Sequence, residues 1–528
     1  MQHIETAVLV IGGGATGTGV VRDLAMRGVD TILVERYHLC YGTTSRHTGV
    51  LHSGCRYILR DPEAARECYQ ENQILRRIMP HCLEDTGGFF VVTPWDDPDY
   101  VPGWLEACRS AGMAVEEISI SQMLREEPAL NPRMVRCFRT IDIAGDPFLA
   151  AESNAESARG YGARVLTYHQ VIQLTEEQGR VVGALCRDLI NDRELVIRCA
   201  LVVNAAGVWA GRIAASVHLD IPLLPSKGAM IAFSQRVVNT LLCRCRVPSD
   251  ADGMMPSKSV LLAGSTDGDI CSPDDVSVNP RHLQIILTEA ERMVPGIRSM
   301  RLLRAWAGVR PLYRGKQPTS DTRLLSRSHV LLDHEQLDGR PGIVSIIGGK
   351  WTTYRLMAQD TADLVCSKLG VQQPCRTHLE VLPVPGKRPA FYWRGATLNR
   401  IEEASSYGDL VCECELVTRQ DVQHSVTRQT ARTIDDLRRL RRLGMGPCQG
   451  AFCGYRAAGL LHVLRRCPVQ ESNAQLANFL QGRWNGLYPI LAGQQLRQAR
   501  LSELIYLASL AVDRGLHTAN ESKAQAQV

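Results

Sequence analysis

Four cysteines toward the C-terminal end have the spacing of a ligand set: Cys412-Glu-Cys414, then 33 residues, then Cys448-Gln-Gly-Ala-Phe-Cys453. Four thiolates in two close pairs can hold an iron–sulfur cluster or a zinc ion. C-x-C with C-x4-C is neither the C-x2-C of zinc ribbons nor the plant-type ferredoxin pattern. A second constellation lies at the other end of the chain. Gly12, Gly14 and Gly17 keep the G-x-G-x-x-G spacing, and Glu35 follows Gly17 by eighteen residues. Gly12 allows a tight turn, Gly14 lets a pyrophosphate approach the backbone, and Gly17 lets a helix lie close to a sheet. The phosphates would sit on the helix N-terminus, and Glu35 would accept from both ribose hydroxyls. An acid there favours a free 2′-hydroxyl, hence FAD or NAD rather than NADP. The plainer alternative is a glycine-rich turn in an ordinary α/β sheet.

These groups need elements to hold them. Residues 7–11 and 31–34 are uninterrupted apolar runs, as buried parallel strands are, with a helical stretch between. Residues 201–207, LVVNAAG, read as a strand entering a small-residue turn, where Gly207 lets backbone pass close to something flat or phosphorylated. Residues 342–364 read as strand, Gly348-Gly349 turn and amphipathic helix. That helix would aim its positive end at the first domain's ligand, with the Thr352 and Thr353 hydroxyls nearby. Reduced flavin carries negative charge that such a terminus stabilises, which tilts the cofactor toward FAD. Residues 40–59, rich in Gly, Ser, Thr and His, suit a loop wrapped on the cofactor, with Thr43, Thr44 and Ser45 as candidate contacts beside Arg36.

The chain has 528 residues, 45% hydrophobic and 22% charged, so it is globular with roughly three domains. Net charge is +5, with no run of like charge to suggest a nucleic-acid tail. Nothing at the N-terminus reads as a signal peptide, since a strand is expected almost at once, and no stretch reaches the roughly 18 apolar residues of a membrane span. The 18 cysteines are mostly isolated in apolar segments and read as reduced thiols. The expected fold is α/β: a discontinuous Rossmann-like FAD-binding domain with an inserted, mostly β substrate domain, plus a small cysteine-rich helical domain. Residues 1–380 form the oxidoreductase, with FAD-binding parts 1–83, 144–220 and 304–380 and substrate-domain parts 84–143 and 221–303. Residues 164–174 and 179–187 read as a small antiparallel unit, and 305–312 as a return to the first domain. A linker spans 381–398, its core the proline-rich stretch 381–389. The cluster-binding domain is 399–480, then a helical segment and tail to 528, the polar tail from about 518 being disordered.

The segments GGGATGTGVVRDLAMRG with Glu35-Arg36, TTSRHTGVLHSGCRY, AGVRPL and GGKWTTYRLMAQ together resemble the FAD-dependent glycerol-3-phosphate dehydrogenases, D-amino-acid-oxidase-like flavoproteins, over about residues 5–375. The cysteine region, with VCECE and GMGPCQGAFCG, resembles the bacterioferritin-associated-ferredoxin-like [2Fe–2S] domain. The resemblance implies that Arg56, Arg310 and Lys350 surround the substrate glycerol 3-phosphate, with His52 and Arg355 as further members. Arginine suits a phosphate dianion because it binds through two parallel hydrogen bonds. His52 is the candidate base for the C2 hydroxyl; a packed, hydrogen-bonded histidine is the alternative. Membrane-bound relatives have a histidine near the start of the substrate domain, where this chain has Lys227-Gly-Ala-Met230; Lys227 could supply charge there. The anaerobic branch of the family implies a partner flavoprotein subunit, an iron–sulfur subunit docking on the cytoplasmic face of the inner membrane, menaquinone as acceptor, and FMN in the complex. Competing readings are zinc in the cysteine site, a 2-hydroxyglutarate-type dehydrogenase of the same superfamily, and an electron-transfer or iron-sensing scaffold without a small-molecule substrate.

Overall fold

The carboxyl ends of four parallel strands share one edge of an eight-stranded mixed sheet, and each runs into one of the glycine or acidic positions above. A computed structural model describes residues 2–315, 325–326, 328–384, 390–405, 407–428, 430–484 and 486–509. The central strand Gln2–Ile11 runs parallel to Thr31–Glu35 on one side and Arg193–Asn204 on the other. Ile343–Gly348 pairs in parallel with the last residues of Arg193–Asn204. Val8, Leu9 and Val10 are fully buried, because both faces of the sheet are covered. Helices Ala15–Met26, Pro147–Gly160 and Tyr354–Leu369 share a core with one face, through Val20, Leu24, Ala155, Met357 and Ala362.

Residues 164–174 do not form part of a separate antiparallel unit. The run breaks at Tyr168, whose φ is 61°. Arg164–Thr167 joins the first sheet in parallel beside Thr31–Glu35, and His169–Glu177 pairs antiparallel with Arg180–Asp188 to extend the far edge of the same sheet.

A second eight-stranded sheet runs Leu302–Tyr313, Leu223–Phe233, Val260–Gly264, Gly253–Ser257, Leu241–Arg244, Gly88–Val92, Arg136–Thr140, Glu116–Ile118. Chain-distant segments meet in it where Leu241–Arg244 pairs with Gly88–Val92. Asn279 caps helix Pro280–Met293, which packs Leu283, Ile286, Ala290 and Met293 into this sheet's core. Residues 305–312 are a correction. They lie in the edge strand of this second sheet, in antiparallel register with Leu223–Phe233, rather than back in the first domain. Strand patterning fixes which side chains face inward, not which sheet accepts the strand.

The C-terminal region is helical: Arg419–Thr427, Ile434–Arg441, Cys453–Arg465 and Val469–Gln481 enclose a core of Val411, Leu437, Leu461 and Leu480. Thr418 with Asp421, and Thr433 with Asp436, form capping boxes at the first two helices. Leu487 and Leu491 then enter the second sheet's core and lead to helix Gly493–Glu503. Residues 385–389 of the expected linker, and the tail from 518, lie outside the described residues. Among the described residues no helix is long and apolar enough to cross a membrane.

Candidate active site and metal centre

A cavity of about 400 Å³ lies along the carboxyl edge of the first sheet, lined by Gly12, Gly14, Glu35, Arg36, Thr43, Thr44, Gly207, Gly348 and Gly349, among others. Gly12 has φ 111°, and a Cβ on it would come within 2.5 Å of the Ala205 carbonyl oxygen. A Cβ on Gly17 would stand 1.9 Å from the Gly12 carbonyl oxygen, so the helix crosses the turn at a distance only glycine permits. Glu35 accepts from the backbone N–H of Gly13 at 2.8 Å and of Tyr37 at 3.0 Å, which holds its carboxylate at the cavity wall. Arg36 lies over the rings of Tyr37 and Trp209. Thr44 Oγ1 accepts from Ala15 N–H at the helix start, and Thr43 Oγ1 donates to the Val309 carbonyl, tying this loop to the second sheet.

A second cavity, about 560 Å³, opens between the two sheets. Thr43, His47, Pro311, Gly348, Gly349, Lys350 and Trp351 line both cavities and form their common wall. Two buried nitrogens in this wall, His47 Nε2 and Trp351 Nε1, have no hydrogen-bond partner among the described residues. His47 Nδ1 accepts from Gly49 N–H at 2.9 Å, so Nε2 carries the proton; burial pulls its pKa down to about 4, and it stays neutral. Two orphaned donors at the junction, and a cradle that added Cβ atoms would fill, fit a dinucleotide whose heteroaromatic ring lies at the wall.

The second cavity gathers His52, Arg56, Arg310 and Lys350. Arg310 is held by Asp267 at 3.0 Å, Ser265 Oγ at 2.8 Å and the Thr266 carbonyl at 2.8 Å. Arg56 pairs with buried Asp252 at 2.6 Å, and Lys350 Nζ lies 4.7 Å above the Tyr57 ring. His52 Nδ1 faces Asp142 Oδ1 at 3.5 Å, and the backbone N–H of His52 donates to Thr352 Oγ1 at 2.9 Å. Asp142 is 1% exposed. Burial pushes its pKa up, but hydrogen bonds from His52, Ser53 and Thr140 outweigh this and hold it below the usual range.

Four expectations need correction. Arg355 is not in the substrate cavity: it points into the interior, where it makes a two-pronged pair with Glu71 at 2.6 and 2.9 Å, with both side chains about 5% exposed or less. Its helix turns it away from Lys350. Lys227 also faces away and binds Asp275 at 2.7 Å, because strand alternation gives the other face to Gly228, which lines the cavity, and to buried Ser226, which accepts from Arg310. Thr352 and Thr353 are buried and spend their hydroxyls on the backbone of His52 and Lys350 rather than lining a cavity. Ser45 bonds the Tyr41 and Gly42 carbonyls, so it shapes the loop. Asp142, Asp252, Asp267 and Tyr57 were missed, and His47, weighed beside His52 as a packed histidine, lines the common wall. The three aspartates lie outside the segments that carry the family resemblance and only the fold brings them in, whereas His47 and Tyr57 stand within TTSRHTGVLHSGCRY.

The four cysteines of the C-terminal constellation lie together. Cys412 contacts Cys453, Cys453 contacts Cys448, and Cys448 contacts Cys414. Hydrogen bonds from the neighbouring cysteine thiols, and then backbone N–H groups of Gly444 and Glu415 at Cys412 and of Gly450 and Phe452 at Cys448, favour thiolate at both. Among the described residues no three His, Cys, Asp or Glu converge on one ion position. Such amide-lined thiolates fit an iron–sulfur centre.

One expected outcome follows from the turn alone. Gly17→Ala adds a Cβ against backbone that cannot yield, at about 1–3 kcal/mol of overpacking. Retention of FAD through gel filtration, read as flavin absorbance per protein, should fall roughly tenfold or more; full retention would remove the close crossing from the account.

Comparison with known proteins agrees with this geometry. Residues 7–355 match the FAD dependent oxidoreductase family model, and 410–462 the BFD-like [2Fe-2S] binding domain. The chain is 40% identical over 519 residues to the A subunit of the anaerobic glycerol-3-phosphate dehydrogenase of Escherichia coli (strain K12), covering 94% of this chain and 96% of that one. It is 38% identical to the A1 subunit of the Haloferax volcanii anaerobic glycerol-3-phosphate dehydrogenase, covering 96% and 90%. The structure of glycerol-3-phosphate dehydrogenase from Bacillus halodurans complexed with FAD superposes with a TM-score of 0.65 at 21% identity, covering 93% and 97%. The cysteine site is therefore a [2Fe–2S] site rather than a zinc site, and the dinucleotide is FAD. The chain belongs to the FAD-dependent oxidoreductases and, within them, to the family of the anaerobic glycerol-3-phosphate dehydrogenase A subunits.

Proposed function

We propose that the chain oxidises sn-glycerol 3-phosphate to dihydroxyacetone phosphate and passes the electrons through FAD and a [2Fe–2S] centre. The observation that carries this reading is the wall shared by the FAD cavity and a cavity holding Arg56, Arg310, Lys350 and the His52–Asp142 pair. Arg310 and Arg56 bind the phosphate, each held in place by an aspartate, and Lys350 adds charge beside the wall. Asp142 faces Nδ1 of His52, which leaves Nε2, 3.4 Å from the Tyr57 hydroxyl, to take the C2 hydroxyl proton. FAD, when bound, accepts the C2 hydride as an electron pair. The imidazolium left on His52 is stabilised by the buried Asp142 carboxylate. The one-electron centre then suits release of electrons one at a time.

Further along the route, the reading gives a partner flavoprotein subunit, an FMN in the complex, and an iron–sulfur subunit that docks the assembly on the inner membrane to deliver electrons to menaquinone. Support for partners is the subunit status in the relatives' names.

The test is an anaerobic absorbance spectrum before and after addition of substrate. Glycerol 3-phosphate should bleach the flavin band within the mixing time, and 2-hydroxyglutarate should not. Bleaching by 2-hydroxyglutarate alone would transfer the site to a hydroxyacid. Inertness to both would remove the dehydrogenase assignment.

A further inference from the structure

The family model of the [2Fe–2S] domain ends at 462, but the chain does not leave the cluster site there. Helix Val469–Gln481 returns over the cysteine loop, with the Phe479 ring so close to Gly444 and Gly450 that a Cβ on either would stand 2.5 and 2.4 Å from it. This brings Arg483 beside the loop. Arg483 is 5% exposed, its guanidinium 5.2 Å from the Trp484 ring and 5.4 Å from that of Tyr506. Its Nη1 has no hydrogen-bond partner among the described residues. Burial and the charge of Arg301 pull its pKa down, the hydrogen-bonded Tyr506 phenol and the Cys448 thiol act the other way, and no carboxylate is among these groups. A buried guanidinium with an unpartnered N–H, set between two aromatic rings and repelled by another arginine, is costly unless an anion offsets it. A [2Fe–2S] centre held by four thiolates is such an anion, and it gains one more negative charge on reduction.

We propose that Arg483 is an electrostatic partner of the [2Fe–2S] centre that favours its reduced form, and so raises its reduction potential. Arg483 touches neither FAD nor substrate in this arrangement, so its effect falls on one step: the one-electron transfer from reduced flavin to the oxidised centre. A positive charge facing the centre in a medium of intermediate dielectric stabilises the added electron, and removing it shifts the equilibrium against reduction. Charge and hydrogen bonding near the sulfurs are established means of setting such potentials.

The experiment is an EPR-monitored redox titration of the full-length chain reconstituted anaerobically, comparing wild type, Arg483→Lys and Arg483→Gln, with iron and sulfide measured in each. The Gln variant should shift the one-electron equilibrium about tenfold toward the oxidised centre, about 59 mV by the one-electron conversion. The Lys variant should stay within threefold of wild type, and the FAD potential should not move. Loss of iron from Gln but not Lys would also support a charge facing the centre. An unchanged midpoint in Gln, an equal shift in Lys and Gln, or loss of iron from both would overturn the proposal and leave Arg483 a packing residue. Absence of a reduced-cluster signal in wild type would instead refute the cluster assignment on which the proposal rests.

Discussion

His52→Ala should slow flavin reduction by glycerol 3-phosphate by about 10²–10⁴-fold, the range a positioned general base contributes, while FAD content and substrate affinity hold. Asp142→Asn should slow it by a factor toward the lower half of that range. The carboxylate sits inside the protein at 1% exposure, receiving Ser53 N–H at 3.1 Å, the Ser53 hydroxyl, and Thr140 Oγ1 at 2.8 Å. An asparagine oxygen can keep part of that set, so the fold survives. What is lost is the negative charge that selects Nδ1–H in His52 and then stabilises the imidazolium. The measurement is single-turnover anaerobic stopped flow at saturating substrate, which separates hydride transfer from electron exit. Rates within threefold of wild type in both variants would return His52 to the role of a packed histidine. A loss in His52→Ala with none in Asp142→Asn would keep the base and discard its partner.

That pair shows how much of the site a sequence carries. The glycines are legible because their requirement is local: a turn at φ 111° and a helix crossing too close for a Cβ leave the same spacing in any such chain. The cysteines are legible for the same reason, since their two pairs come from two short stretches. Asp142 is not, because it meets His52 from a distant part of the chain, just past Arg136–Thr140, a strand of the second sheet. Arg355 reads as a site residue through the family resemblance, and Lys227 through its charge. Strand alternation turned one away, and helix facing turned the other into the interior, so the direction of a side chain overruled its type. The edge strand Leu302–Tyr313 carries Arg310 to the cavity only because it pairs with Leu223–Phe233, a long-range choice that no local pattern in either segment specifies.

Arg310 and Arg355 are two paired arginines whose removal should fail in opposite ways. Arg310→Ala should raise KM for glycerol 3-phosphate about 10²–10³-fold, from the 2–5 kcal/mol cost of truncating one partner of a hydrogen-bonded charge pair. The loss is compounded by Asp267, which then faces the incoming dianion without its counter-ion. Fold stability should change little, because Arg310 keeps 28% of its side chain exposed and the cavity can admit water. Arg355→Ala should leave KM within a few-fold but cost about 3–5 kcal/mol of stability, since it abandons Glu71 as an uncompensated charge at 4% exposure. Initial rates against substrate concentration and a urea melt, run on both variants with FAD content as the common control, separate the two roles. If Arg355→Ala raises KM as much as Arg310→Ala with no shift in the melt, the interior pairing with Glu71 is not what governs that residue. If Arg310→Ala leaves KM unchanged, the phosphate is bound elsewhere, and the cavity between the sheets loses its claim to the substrate.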